Sequence, residues 1–169
     1  MSVKEELLRR ANQYAAARGL RLGDQLGFGV HGTVFLAESQ SKSDAVPAES
    51  ALKVHERQAD YTRERDVYLR LRENEVRTIR NYSVPQLLAH DDALLILEMT
   101  IVTRPYVLDF AGAFLDYKPD FDEEVLADWH AEKREQFGSR WAEAQAILRA
   151  LEDFGIFVVD VNPNNIASD

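Results

Sequence analysis

Three glycines in six residues constrain this chain more than anything else in it: Gly27-Phe28-Gly29-Val30-His31-Gly32. Glycine alone tolerates the dihedrals of a tight reversal and leaves no Cβ in the way, so a backbone of this kind can fold closely over a ligand, most often a phosphate. The residues after the last glycine decide the setting. A helix there would turn its N-terminus to the phosphate, but Thr33-Val34-Phe35-Leu36 is β-branched and aromatic and predicts a strand. With a first strand over Leu20 to Leu26 and a second over Thr33 to Glu38, the turn sits inside a hairpin. A Ser-, Ala- and charge-rich loop at 39–50 leads to a third strand, Ala51 to His55, which carries Lys53.

Lys53 alternates away from Leu52 and Val54, so it faces either solvent or a site. The next helix, about 61–75, puts Glu64 on the stripe of Val67, Tyr68 and Leu71. A carboxylate on a buried stripe is costly unless paired. Lys53 is its natural partner, with Glu56 and Asp60 as the alternative carboxylates for that lysine. Two more strands are predicted at 84–88 and 93–98 about the turn His90-Asp91-Asp92, completing five strands and one crossing helix. A helix over residues 2–18, with a capping-box pattern at Ser2 and Glu5 and a stop at Gly19, packs outside that sheet.

Beyond residue 100, Val107 to Leu115 is apolar enough for a short helix, and the acidic run 120–124 opens another, where carboxylates complement the helix dipole. Trp129 and His130 on that helix read as packing or surface residues. A further helix over 139–154 carries Ala144, Ile147, Leu148 and Leu151 on one stripe and stops at Gly155. The apolar run Ile156-Phe157-Val158-Val159 then delivers Asp160-Val161-Asn162-Pro163-Asn164-Asn165, an Asp and an Asn five apart around a proline-fixed turn.

In this order the motifs resemble those of the protein kinases over Leu20 to Ile166. The glycine turn with Val34 is similar to G-x-G-x-x-G-x-V, Ala51-Leu52-Lys53 to the V-A-I-K strand, and Asp160 to Asn165 to the catalytic loop D-x-x-x-x-N. The resemblance implies an α+β, protein-kinase-like fold: a helix at 1–19, an N-terminal lobe at 20–100 with a five-stranded antiparallel sheet and one αC-type helix, and a hinge with a reduced helical C-terminal lobe at 101–169. It implies ATP and Mg2+ as cofactors, with Gly27, Gly29, Gly32 and Val34 over the nucleotide, Lys53 on its phosphates and Glu64 holding Lys53. Leu97 takes the gatekeeper position, the Glu98 carbonyl and Thr100 amide meet adenine, Asp160 is the catalytic base and Asn165 the metal ligand. The implied activity is transfer of the γ-phosphate to a Ser/Thr-type hydroxyl on an unidentified acceptor, a protein among the candidates. A pseudokinase acting as nucleotide sensor or interaction module is the alternative. A small-molecule kinase is another, since Asn162-Pro163-Asn164-Asn165 also resembles an H-P-x-N turn.

Two departures bear on activity. Val158 and Val159 stand where the family has His and Arg before the catalytic Asp, which implies no control by a phosphorylated activation loop. The sequence ends at Asp169, four residues past Asn165, so the Asp-Phe-Gly motif, activation segment and Ala-Pro-Glu motif are expected to be missing. That expectation carries two others: weak or absent catalysis, and an apolar face for a partner or a second copy to cover.

Composition narrows the setting. At 169 residues, 46% hydrophobic and 29% charged, the chain reads as one or two small soluble globular domains. A net charge of -9 argues against nonspecific nucleic-acid binding, and the absence of cysteine excludes disulfides, thiolate nucleophiles and thiolate–zinc sites. No apolar run approaches a membrane span and the N-terminus lacks the pattern of a signal peptide, so a cytoplasmic location is expected.

Overall fold

The computed structural model describes residues 1–169. Helix α1 (Val3–Arg18) begins at the expected capping box, Ser2 and Glu5 each accepting the other's backbone N–H, and ends at Gly19 with φ 66°. Strands β1 (Leu20–Gly29), β2 (Gly32–Ser39) and β3 (Glu49–His55) come next as an antiparallel meander in which Gly29 faces Gly32 and Val34 faces Lys53. Helix α2 (Gln58–Glu73) then crosses to the far edge. A short hairpin, β4 (Thr78–Ile79) and β5 (Tyr82–Ser83), precedes β6 (Leu87–Asp91) and β7 (Ile96–Met99), which complete a five-stranded antiparallel sheet in the order β1-β2-β3-β7-β6.

The last two strands start about three residues later than the sequence predicts. Pro85 has no N–H for a ladder, which delays β6. The Asp91 carboxylate accepts the Ala93 and Leu94 amides, and Leu95 takes φ 56°, which together hold 92–95 in a turn and delay β7.

Alternation divides the sheet into two faces. Leu52, Val54 and Ile96 pack with Phe35 and Ala37 against Leu7, Ala11, Tyr14 and Ala15 of α1. Lys53 and Leu97 point the other way, toward α2, where Tyr61, Val67, Tyr68 and Leu71 join a larger core. The Glu98 carboxylate, on the α1 face, accepts from Tyr14 Oη at 2.7 Å and from Arg18 Nε at 3.2 Å and so fixes α1 to the sheet.

Beyond β7 the expected helix at 107–115 does not form. Asp109, inside that span, sits at φ 68°, a left-handed value that a right-handed helix cannot include, and Asp116 just past it is left-handed too, at 57°. Two short strands replace it, β8 (Tyr106–Val107) and β9 (Ala113–Leu115). Helix α3 (Glu123–Phe137) is capped by the Asp122 carboxylate on Val125 N–H, and α4 (Trp141–Glu152) buries Trp141, Ala144, Ile147 and Leu151 in the larger core. Strand β10 (Ile156–Val158) pairs with β9, and β11 (Ile166–Ala167) pairs antiparallel with β8. The turn between β10 and β11, and the turn between β8 and β9, are thereby brought to one place. The architecture is α+β, and no helix is long and apolar enough to cross a membrane.

Candidate functional site

A cavity of about 420 Å³ opens beneath the glycine turn, floored by Ala51 and Lys53 of β3 and closed behind by Met99 to Val102. Part of its wall is Leu108, Asp109 and Asn165, from the two turns that β8 and β11 bring together. The turn's glycines differ in what they do. A Cβ on Gly27 or Gly29 would meet nothing within 4 Å, whereas one on Gly32, at φ +152°, would lie 2.2 Å from the Val54 carbonyl oxygen. Steric need for glycine is therefore at Gly32, where the hairpin crosses β3, and the other two leave open room above the cavity.

Lys53 and Glu64 meet as their positions on β3 and α2 require. Lys53 Nζ lies 2.8 Å from Glu64 Oε2, and Glu64 is fully buried. The carboxylate also accepts from His55 Nε2 at 2.7 Å and from the Phe110 backbone N–H at 3.2 Å. Burial by itself pushes the Glu64 carboxyl up, but Lys53 and the His55 bond outweigh it and hold it down, to about 2. Burial likewise opposes the charge on Lys53, and Glu64 with Asp109 more than offset it, raising the ammonium above its ordinary value.

Glu64 thereby couples stability to pH. A carboxylate depressed in the folded state contributes stability that is complete above its unfolded value, near 4.5, and is lost as pH falls toward 2. Urea midpoints are therefore expected to fall between pH 4.5 and 2.5 in the native chain, and less steeply in Glu64→Gln. Equal slopes for the two proteins would remove Glu64 from the account.

The second carboxylate on Lys53 is one the sequence did not single out. Asp109, two residues past β8, holds its Oδ1 3.1 Å from Lys53 Nζ, and the Ala111 amide also donates to it at 3.4 Å. Leu108 N–H donates to the Asn165 carbonyl at 3.0 Å, so Asp109 and Asn165 are held side by side on one cavity wall. Phe110 turns inward, edge-on to Tyr68 at 5.3 Å between ring centroids, and anchors the turn. Asp160 does not line the cavity but stands beside His31, which does; its side chain is 59% exposed, and Gly112 passes so close that a Cβ there would be 2.9 Å from the Asp160 Cβ. Its Oδ2 is 3.2 Å from His31 Nε2.

The back of the cavity lies two residues further along β7 than the sequence reading placed it. Leu97 is fully buried in the core and does not line the cavity; Met99, on the same face, does. Glu98 directs its carboxylate to α1, and the Thr100 N–H donates to the Gln86 carbonyl at 2.9 Å, so that amide is already committed. The Thr100 carbonyl and the Val102 N–H carry no backbone bond.

Nowhere does the chain gather three or more His, Asp or Glu side chains that could hold a metal by themselves. Among the oxygen-bearing side chains that line the cavity, Glu64 is committed to Lys53 and His55, while Asp109 and Asn165 share one wall and could together offer two oxygens to a hard cation that takes its other ligands from phosphate and water. Acidic residues 120–124 serve the start of α3, with Asp122 as its cap. Trp129 packs on Trp141 and donates its Nε1–H to the Val159 carbonyl at 3.2 Å, which steadies the strand leading to Asp160. No protein-family model matches the chain, and a search of curated proteins finds none similar to it.

Proposed function

We propose that the cavity binds MgATP and that the chain is a protein-kinase-like phosphotransferase, delivering the γ-phosphoryl group to a hydroxyl acceptor. The observation that carries this reading is the convergence of Lys53, Asp109 and Asn165 on one cavity beneath a glycine turn, with Asp160 bonded to His31 of that turn. Lys53 is charged and held by Glu64, which His55 steadies in turn, ready to meet a polyphosphate. The Thr100 carbonyl and Val102 N–H offer the acceptor and donor that the edge of an adenine requires.

Asp109 supplies the second oxygen ligand that the sequence reading expects to be missing after Asn165. Asp109-Phe110-Ala111-Gly112 resembles Asp-Phe-Gly with one residue inserted, reached from upstream along β8 rather than from downstream of Asn165. The antiparallel pairing of β8 with β11, and the Leu108 N–H bond to the Asn165 carbonyl, bring Asp109 close to Asn165 by this route. Asp109 and Asn165 would hold magnesium, which neutralises charge developing on the phosphoryl oxygens. Asp160 accepts the proton of the incoming hydroxyl, and the glycine turn excludes water above the phosphates.

Calorimetric titration of ATP, once with magnesium and once with EDTA, tests the reading. Binding that strengthens with magnesium, followed by transfer to a generic hydroxyl acceptor such as casein or a serine peptide mixture, is the expected result; absence of any ATP binding would sink it. A nucleotide sensor without turnover is the second reading, favoured by the occupation of Asp160 by His31. It predicts binding indifferent to magnesium and no transfer.

A further inference from the structure

His31, on the glycine turn, stands between carboxylates from two other parts of the chain. Its Nδ1 is 3.3 Å from Asp60 Oδ2, in the first turn of α2, and its Nε2 is 3.2 Å from Asp160 Oδ2, in the turn after β10. The ring is mostly covered, with 16% of its side-chain surface exposed. The Nε2 contact is a hydrogen bond, whereas Nδ1 meets Asp60 at ion-pair distance without one, so it is the charge of an imidazolium, rather than a second N–H, that engages both carboxylates. Phe28 and Val30 on the same turn are 83% and 78% exposed and make no comparable anchor.

We propose that His31 is a positioning residue for transfer: as an imidazolium it latches the glycine turn to Asp60 and Asp160, closing the cavity mouth and occupying the Asp160 oxygen that an acceptor hydroxyl would need. The significance for transfer rests on the phosphotransferase reading; the latch itself does not. Asp160 faces the ring from one side and Asp60 from the other, with Asp109 contributing through space. Arg57 and Arg63 share the Asp60 carboxylate, at 2.8 and 3.9 Å, and Lys53 shares Asp109. Burial opposes the charge on His31, and the Asp160 and Asp60 carboxylates beside it more than offset it, so the ring titrates above its ordinary value of 6.5. The latch is complete below that value and is released as pH rises through the raised one. Nucleotide is then held longest while Asp160 is occupied, and an acceptor engages by displacing His31.

The first test needs no ligand. Nitrogen-15 NMR of the histidine rings, with amide exchange at Gly29 to Gly32 corrected for intrinsic pH dependence, is followed in the native chain, Asp60→Asn, Asp160→Asn and His31→Gln. The latch predicts that each Asn variant lowers the His31 midpoint, and that exchange quickens above the midpoint in the native chain and at every pH in His31→Gln. A midpoint unmoved by both variants, or identical exchange in His31→Gln, overturns it. The second test is stopped-flow release of a fluorescent ATP analogue with magnesium, expected to be several-fold faster and independent of pH between 6 and 8 in His31→Gln. Release unaffected by His31→Gln overturns the closure. Should the analogue not bind while the ligand-free shifts appear, the latch stands and the nucleotide reading fails.

Discussion

Lys53→Met is expected to remove ATP binding from calorimetric detection and to destabilise the fold by about 3–5 kcal/mol, the range for breaking a buried ion pair from one side. Both effects have one cause. Lys53 and Glu64 are buried, so removing the ammonium leaves a carboxylate with no water and with Asp109 facing the same space. His55 stays bonded to Glu64, which keeps the variant toward the lower end of that range. Replacing both members, Lys53→Met with Glu64→Leu, is expected to recover most of the stability because no unpaired charge remains, while ATP binding stays absent. Urea denaturation reads the first quantity, and calorimetry on samples shown to be folded by circular dichroism reads the second. Native stability in the single variant would mean that His55 alone balances Glu64; native ATP affinity would separate Lys53 from nucleotide binding altogether.

What the sequence made legible here is what burial makes compulsory. Glu64 lies on an apolar stripe and must find a cation, so its pairing with Lys53 could be read from spacing before any coordinates. The capping box at Ser2 and Glu5 was legible for a similar reason, since orphan amides at a helix start need acceptors. The register of β7 was not, because Ile96, Leu97, Glu98 and Met99 are all buried and no alternation shows which of them faces the cavity. Asp109 was hidden as well, by its own positive φ. Val107 to Leu115 has the length and apolarity of a short helix, and nothing local announces that Asp109 turns the backbone left-handed within it. The strands that carry the site wall, β8 and β11, are two residues each and are fixed by pairing with each other, a long-range fact. A contiguous motif reader looks for an aspartate after Asn165, whereas the fold delivers one that lies 56 residues beyond Lys53 and ahead of Asn165 in the chain.

Asp109→Asn is the sharpest separation of metal chemistry from scaffold in this site. Asparagine keeps the shape of the side chain, tolerates the φ of 68° at this position, and can still accept from the Ala111 amide through its side-chain oxygen. Lys53 loses one charged neighbour but keeps Glu64 at 2.8 Å, so the fold and the lysine's position are expected to survive. The variant should bind ATP in EDTA at least as well as the native chain, since a negative charge facing the phosphates has been removed. Its affinity should no longer rise with magnesium, because Asn165 is then the sole strong candidate ligand on that wall. Phosphoryl transfer should fall by about 10²–10³, the usual loss when one preorganised stabiliser of transition-state charge is deleted. Asn165→Ala is expected to show the same loss of magnesium dependence, and the two changes combined should be much less than additive, as for groups that hold one ion. Magnesium dependence unchanged in Asp109→Asn would return Asp109 to a structural role, as a turn former that neutralises Lys53.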